Sequence, residues 1–285
     1  MGGRFLAAAI LASSAAVPAV AQDGYRYGQP DAGYGYEQPA QQRGGWFSGN
    51  WYLKVGGAVL HRPKFDGAAG RALAFQPMVS FGRAGGKSAR FSSRNDAISL
   101  GLYDNDTVRA GLAGKFVFRR DGDTDGRLDG LSPVPFGGEA GGFVEIYPTE
   151  GLRMRAEVRH GIRSHDGIVA DLSADAYMNV TDRVQISAGP RLSWASADYF
   201  DVYYGVSGSE AIESGLSPYD PGSGFRSVGV GGAVTFKATD RLDTSVFAEY
   251  SRLLGPAADS SLVRERGSRH QVTVGASATY RFDLF

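Results

Sequence analysis

A chain of 285 residues with no cysteine, 41 glycines, 12% aromatics and thirty Lys plus Arg balanced by thirty Asp plus Glu excludes several classes of protein. Without cysteine there is no disulfide scaffold and no thiolate metal site, and zero formal net charge offers no basic field to nucleic acid. Glycine at about twice its usual share of roughly 7%, with no Gly-X-Y period, points to strands and turns. A polytopic helical membrane protein would need several apolar runs of roughly 20 residues, and none follows the N-terminal segment.

Arg4 precedes an apolar run from Phe5 to Ala16, too short to span a bilayer, and Ala19-Val20-Ala21 follows as a small-x-small cleavage site. Residues 1–21 are expected to be a signal peptide that takes the chain out of the cytoplasm, leaving Gln22 as the mature N-terminus. From 22 to 45, Tyr25, Tyr27, Tyr34 and Tyr36 are spaced by Gly, Pro and Gln. Such a composition buries too little surface to offset the entropy of ordering and reads as a flexible periplasmic linker.

Residues 46–285 break into segments of about ten residues with period-2 patterning, each bounded by Asp, Asn, Gly or Pro. The predicted strands are 51–61, 72–82, 88–93, 96–103, 107–119, 139–148, 152–162, 168–179, 184–196, 225–236, 242–253 and 271–282. In the last, Val272, Val274, Ala276, Ala278, Tyr280 and Phe282 share one face and Gln271, Thr273, Gly275, Ser277, Thr279 and Arg281 the other. Apolar faces of small Ala and Val, with aromatics near the strand ends, suit an exterior against lipid. The fold class expected is all-β: a closed antiparallel transmembrane β-barrel of about twelve strands in a Gram-negative outer membrane. Merging 88–93 with 96–103 would leave ten strands. Pro190 lies on the lipid face and lacks a ladder donor, so a bulge is expected there. Connections are short at 82–87, 104–106, 149–151, 181–183 and 237–241 and long at 120–138, 197–224 and 254–270, which places the short ones, and both termini, in the periplasm.

This register turns Glu145, Arg153, Arg155, Glu157, Arg159, Asp171, Asp175, Arg191 and Glu249 into the lumen. Paired, they would staple the bore shut; separated by water, they would line a narrow polar channel for small solutes. Barrels of eight strands are filled and those of sixteen or more hold channels, so about twelve leaves both open. In the outer segments, Asp121, Asp123 and Asp125 precede Gly126, with Asp129 beyond, which is the first half of a calcium loop. The bidentate acid is missing, since its place holds Ser132. No other cofactor is suggested. His160, with Ser164 and Asp166 close in sequence, raises a lipid hydrolase as a remote reading, which would need a serine and an orienting acid within hydrogen-bond reach. Between 207 and 224, Ser209 is the expected N-cap of one helical turn over Glu210 to Ser214 that Gly215 stops, folding as a lid over the mouth. Val263 to His270, rich in Arg and Glu, would touch lipopolysaccharide phosphates or pair within the loop.

Several stretches resemble the MipA/OmpV family of MltA-interacting outer-membrane proteins: Val184 to Trp194 with Ala188-Gly189-Pro190-Arg191-Leu192, Tyr203-Tyr204-Gly205-Val206, Ser214-Gly215-Leu216, Tyr219-x-Pro221-Gly222, Ser251 to Gly255, Ala258-Asp259-Ser260, Val263 to Ser268 and Tyr280-Arg281-Phe282. Arg155 to Arg159, His165-Asp166-Gly167 and Ala170-Asp171-Leu172 look similar as well, and the likeness is weakest before Phe81. It implies a non-enzymatic barrel that serves as a scaffold between a lytic transglycosylase and a murein synthase; other family members are described as porin-like, adhesive or drug-response proteins. No functional residue of such a scaffold can be carried over. Family members end at the aromatic corresponding to Phe282, whereas Asp283-Leu284-Phe285 is appended here. Alternation counted back from Phe282 is intact, so Tyr280 and Phe282 are expected to carry the assembly signal. Deleting the last three residues should leave outer-membrane assembly unchanged, as heat-modifiable gel mobility of envelope fractions would report; loss of the folded band would disprove it.

Overall fold

The computed structural model describes residues 51–83, 91, 93, 96–105 and 107–284. The expected signal peptide and linker, and Phe285, lie outside the described residues. Among the described residues eleven strands close into a barrel: β1 (Trp51–Pro63), β2 (Arg71–Arg83), β3 (Ile98–Asp104), β4 (Val108–Val117), β5 (Gly137–Thr149), β6 (Leu152–Ile162), β7 (Ile168–Asn179), β8 (Val184–Ala195), β9 (Gly224–Lys237), β10 (Leu242–Leu253) and β11 (His270–Asp283). Consecutive strands are neighbours, and β1 seals against β11 with Tyr52 opposite Asp283.

A ring of purely antiparallel neighbours needs an even count. Here β2 and β3 run parallel, touching only at Ser80–Ser99 and Phe81–Leu100, and that one pair restores the parity. Both ends of the chain's barrel therefore reach the same rim, as expected of periplasmic termini. The strand expected over 88–93 is not formed at Phe91 or Ser93, and its other positions lie outside the described residues. Phe91 sits inside the barrel, its ring stacked on Tyr177 at 4.7 Å and 5.5 Å below the Arg153 guanidinium. Partners in the lumen outcompete a place in the wall: Asp96, a few residues on, reaches Arg153 at 2.7 Å.

The alternation read from sequence holds strand by strand. On β6, Met154 and Val158 are about half exposed on the outer surface while Arg153, Arg155, Glu157 and Arg159 between them are buried. Aromatics gather at both ends of the wall, with Trp51 stacked on Phe81 and Tyr280 packed on Phe282 near one rim and Phe116, Phe118 and Phe136 clustered towards the other. Belts of this kind sit at the two membrane–water interfaces. Among the described residues no helix is long and apolar enough to cross a membrane.

The periplasmic turns are built from the chain's own side chains. Thr181-Asp182-Arg183 and Thr239-Asp240-Arg241 make the same turn, each threonine hydroxyl accepting at 3.0 Å from an amide three residues on, Val184 or Leu242. Such side-chain caps replace the ladder where strands reverse.

Pro190 does not produce the expected bulge: it stays in register opposite Val230. The donor it lacks is replaced by a side chain, since Arg191 Nη1 donates to the carbonyls of Ala174 at 3.2 Å and Pro190 at 2.9 Å. The neighbouring Gly189 is required by close approach, because a Cβ there would lie 1.7 Å from the Ala174 carbonyl oxygen. Gly189→Ala should cost about 1–3 kcal/mol through forced backbone displacement, read as a lower urea midpoint of the folded barrel in detergent; an unchanged midpoint would refute the close approach. The bulge falls instead at Ser193/Trp194, where Arg226 is the extra residue of β9 between Phe225 and Ser227.

Four short helices lie in the outer loops: α1 (Ala197–Tyr204) and α2 (Gly208–Ser214) between β8 and β9, then α3 (Gly255–Asp259) and α4 (Ser261–Arg266) between β10 and β11. Tyr199, Phe200 and Tyr204 pack with Leu253, Ala257, Ala258 and Val263 onto Val169 and Ala195 at the strand tops. A second cluster joins Phe65, Ala68, Leu128, Val206, Leu216 and Leu262. Residues from four outer connections thus share one apolar lid.

Candidate functional site: the ionic lumen and its lid

Of the nine residues predicted to project inward, six are buried and three are partly buried. Arg153, Glu145 and Asp175 are 1% exposed, Arg155 and Arg159 3%, and Glu157 5%; Asp171, Arg191 and Glu249 are partly buried. The reason is local: each alternates with a lipid-facing apolar residue, so once one face meets hydrocarbon the other must turn inward.

The charges are paired across strands. Arg153 reaches Asp96 at 2.7 Å, Glu145 at 2.8 Å and Asp175 at 3.3 Å. Arg155 pairs with Glu145 and Glu157, and Arg159 with Glu157, Glu139 (2.8 Å) and Asp171 (2.5 Å). Arg191 closes on Asp175 at 2.5 Å. Two rings brace the cations: Phe143 lies 4.1 Å from Arg155 and 5.2 Å from Arg109, and Phe91 backs Arg153. Tyr147 donates its hydroxyl to Glu145 at 2.8 Å. In a low-dielectric interior such pairs hold only when each charge is matched and hydrogen-bonded.

Sequence reasoning missed several members. Arg109 and Glu139 obey the same alternation as their neighbours and were legible by parity alone. Arg226 was not: alternation with Val228 and Val230 assigns it to lipid, and the bulge turns it inward. There it donates to Ser193 and Tyr199 and pairs with Asp66 at 3.0 Å and Asp171 at 3.7 Å. It thereby ties lumen to lid.

The outer loops are tied to one another. Arg120 donates to the carbonyls of Tyr203 at 2.8 Å and Val202 at 3.3 Å and lies beside the Phe65 and Tyr203 rings. Burial, partly offset by Arg120, pushes the Tyr203 hydroxyl up to about 12. The N-cap of α2 is Ser207, not the expected Ser209, because Ser207 forms a reciprocal capping box with Glu210; Gly215 ends the helix in the left-handed region at φ 74° as expected. Glu210 also accepts from the Ser132 amide at 2.7 Å, pinning the 118–136 loop to α2. Although partial burial alone would raise it, bonds from Ser132 and Ser207 hold the Glu210 carboxyl at about 2, below its usual 4.5. A depressed carboxyl contributes stability that is complete above its unfolded value and lost as pH falls through its folded one. Protection of the Ala211 and Gly215 amides from hydrogen exchange should therefore be constant above pH 5, after correction for intrinsic rates, and fall between pH 4.5 and 2. In Glu210→Ala, which loses about 1 kcal/mol of capping, it should be low at every pH; a wild-type profile in that variant would exclude the cap.

The four aspartates proposed for calcium are not brought together. Asp121 pairs with Arg119 and accepts from Thr124; Asp125 caps the turn Gly126–Leu128, accepting from the Arg127 amide at 3.0 Å, and pairs with Lys64 at 3.3 Å. Asp123 and Asp129 are exposed. Among the described residues no group of three His or acidic side chains is placed to hold a metal. The hydrolase arrangement is not assembled either. His160 is exposed on the outer wall, Asp166 is exposed, and Ser164 is buried with no hydrogen-bond partner for its hydroxyl among the described residues. The buried histidine is His165, held 3.4 Å from Glu139 against the Tyr199 and Tyr203 rings. In the 263–270 segment, Arg266 donates to the carbonyls of Arg127 and Ser214 and Arg269 to that of Ala258, so these cations serve the lid. Tyr280 and Phe282 face outward, their rings 4.7 Å apart.

The family model described as MltA-interacting protein MipA matches residues 55–282. No curated protein matches the chain. Similar solved structures include a bacterial polysaccharide outer membrane secretin (11% identity, 81% of this chain and 98% of that one, TM-score 0.35), the NanC porin (8%, 81% and 98%, 0.39) and Neisserial surface protein A (10%, 82% and 97%, 0.27). With the family match spanning nearly the whole described barrel, its lipid-facing exterior and its ion-paired lumen, the chain belongs to the MipA family of outer-membrane β-barrels.

Proposed function

We propose that this chain is a non-catalytic membrane anchor that holds a murein-cleaving lytic transglycosylase of the MltA kind, and with it a murein synthase, at the periplasmic face of the outer membrane. The observation that supports this reading is the ion-paired lumen beneath the helical lid. Ion pairs from Arg153 to Asp175 and from Arg159 to Asp171 span neighbouring strands, Phe91 and Asp96 occupy the space beside them, and the helical lid covers the mouth. A chain built as a pore would keep its opposed charges apart. The family description, MltA-interacting, supplies the partner's class. The small-solute channel is the alternative, and the two differ in measurable ways. Cross-linking in intact envelopes should capture a lytic transglycosylase, and the purified barrel in planar bilayers should show no stable unitary current. A steady wild-type current without a cross-linked transglycosylase would overturn the anchor in favour of the channel.

A further inference from the structure

Beyond an anchoring role, we infer that the outer rim of the wall across β10, β11, β1 and β2 is a docking face for the diphosphorylated head group of an outer-leaflet glycolipid of the lipid A class. Arg252 and His270 hold one phosphate, Arg71 and His61 the other.

The face follows from parity and register. His61 lies opposite Leu73 and Pro63 opposite Arg71, so His61 and Arg71 share the outward side of the β1–β2 pair with Leu73, which is 75% exposed. Across the seam, Arg252 lies opposite His270 on one side and Val228 on the other, in outward register with the exposed Tyr250. All four residues are exposed, and each sits where its strand meets an outer loop. A cation facing hydrocarbon is costly at the bilayer midplane and almost free of cost at the interface, so this placement sets the two arginines at the depth of lipid phosphates. Among the described residues none of the four has a carboxylate within 4.0 Å. In the adjoining loops Asp66 is taken by Arg226 at 3.0 Å and Asp259 by Arg269 at 3.4 Å, and Glu265, exposed on α4, pairs with none of them. The Tyr250 hydroxyl, 2.6 Å from His270 Nδ1, holds that ring against the wall.

Spacing selects the occupant. Arg252 and His270 face one another across one rung, about 5 Å apart at Cβ, and Arg71 and His61 are diagonal neighbours at about 7–8 Å. Each pair can therefore serve one phosphate, the guanidinium as a planar fork and the imidazole as a further donor. His61 lies opposite Val274, four positions along β11 from His270. At about 3.4 Å per residue and 4.8 Å per strand, the centres of the two pairs are roughly 14 Å apart. A single phosphate does not bridge that span, whereas a disaccharide with a phosphate at each end does, and its acyl chains would lie on the apolar wall below. The rest of the rim is different. On the opposite side the outward positions near the outer strand ends include Phe116, Ile162 and Ile168, 43–56% exposed, and His160 stands among them with no outward arginine on its own or a neighbouring strand. A girdle that only seated the barrel at the interface would recur all round; here the basic groups keep to four consecutive strands.

The test uses the full mature chain, refolded in a nonionic detergent free of co-purified lipid, and native mass spectrometry against diphosphoryl lipid A, monophosphoryl lipid A and phosphatidylglycerol. One diphosphoryl lipid A should be retained per barrel, about tenfold more tightly than the monophosphoryl form, since the charge-assisted bonds of one pair are lost with the second phosphate. Arg71→Gln/Arg252→Gln should weaken diphosphoryl lipid A by about tenfold or more, and His160→Gln, on the opposite side, should leave it as it was. Heat-modifiable mobility reports which variants are folded; if the double variant does not fold, each single arginine substitution should show a smaller loss of the same sign. Equal retention of the two lipid A forms, wild-type retention in the folded arginine variants, or an equal loss in His160→Gln would overturn the docking face. Phosphatidylglycerol held as tightly as diphosphoryl lipid A would overturn the glycolipid assignment.

Discussion

Arg153→Leu should lower the unfolding free energy of the barrel by about 3–5 kcal/mol, because it removes the cation that three carboxylates share in the interior. Arg153 is 1% exposed, touches Asp96, Glu145 and Asp175, and is backed by Phe91, so neither solvent nor a spare cation can take over all four contacts. Glu145 retains Arg155 and Arg109, and Asp175 retains Arg191. Among the described residues Asp96 keeps the Ser93 amide at 3.0 Å but no cation nearer than Arg155 at 3.8 Å, so the 96–98 entry to β3 should loosen first. Urea unfolding in detergent micelles reads the global loss, and amide exchange of β3 reads the local one. A destabilisation below about 1 kcal/mol would mean that the lumen is wet enough to screen its charges, and would return the channel reading to favour. The charge-matched variant Arg153→Lys should recover part of the loss, not all of it, since a point charge cannot serve three acids as a planar fork does.

Phe200→Ala is expected to release the lid with the wall intact. Phe200 is fully buried between Tyr199 and Tyr204, with ring centroids 5.8 and 5.7 Å away, in the cluster that joins α1 to α3 and α4. Truncation of a buried phenylalanine costs about 3–5 kcal/mol, and here the loss falls on loops that are held together mainly by one another. Protease added outside intact vesicles should then cut between 197 and 223 in the variant and spare the wild type, with the heat-modifiable mobility of both unchanged. Loss of that mobility would show that lid and wall fold as one unit. Combined with Arg153→Leu, the open lid should give bilayer currents that neither single substitution gives.

Much of this was legible before any coordinates. The two faces of β6 are fixed by four residues of alternation in each direction, and once Met154 and Val158 face lipid, Arg153, Arg155, Glu157 and Arg159 have nowhere to go but inward. The lid helix α2 was readable from Glu210 and Gly215, although its cap was misplaced by two residues because Ser207 and Ser209 differ only in which of them Glu210 can reach back to. Pro190 was recognised as a gap in the ladder; that Arg191 would fill it from the side was not, since the filling donor belongs to the same strand but its acceptor, Ala174, to another.

Sequence alone determined the membrane-facing alternation, the inward set of charges, the short and long rims and the family, because all of these rest on a period of two or on contiguous motifs. Only the tertiary structure decided that Phe91 and Asp96 leave the wall for the lumen, that β2 and β3 run parallel, and that a bulge opposite Ser193 turns Arg226 inward. Each of those depends on which partner a residue meets across the barrel, and the energy of such a meeting is set by charge and shape brought together from distant positions, to which a local pattern is blind.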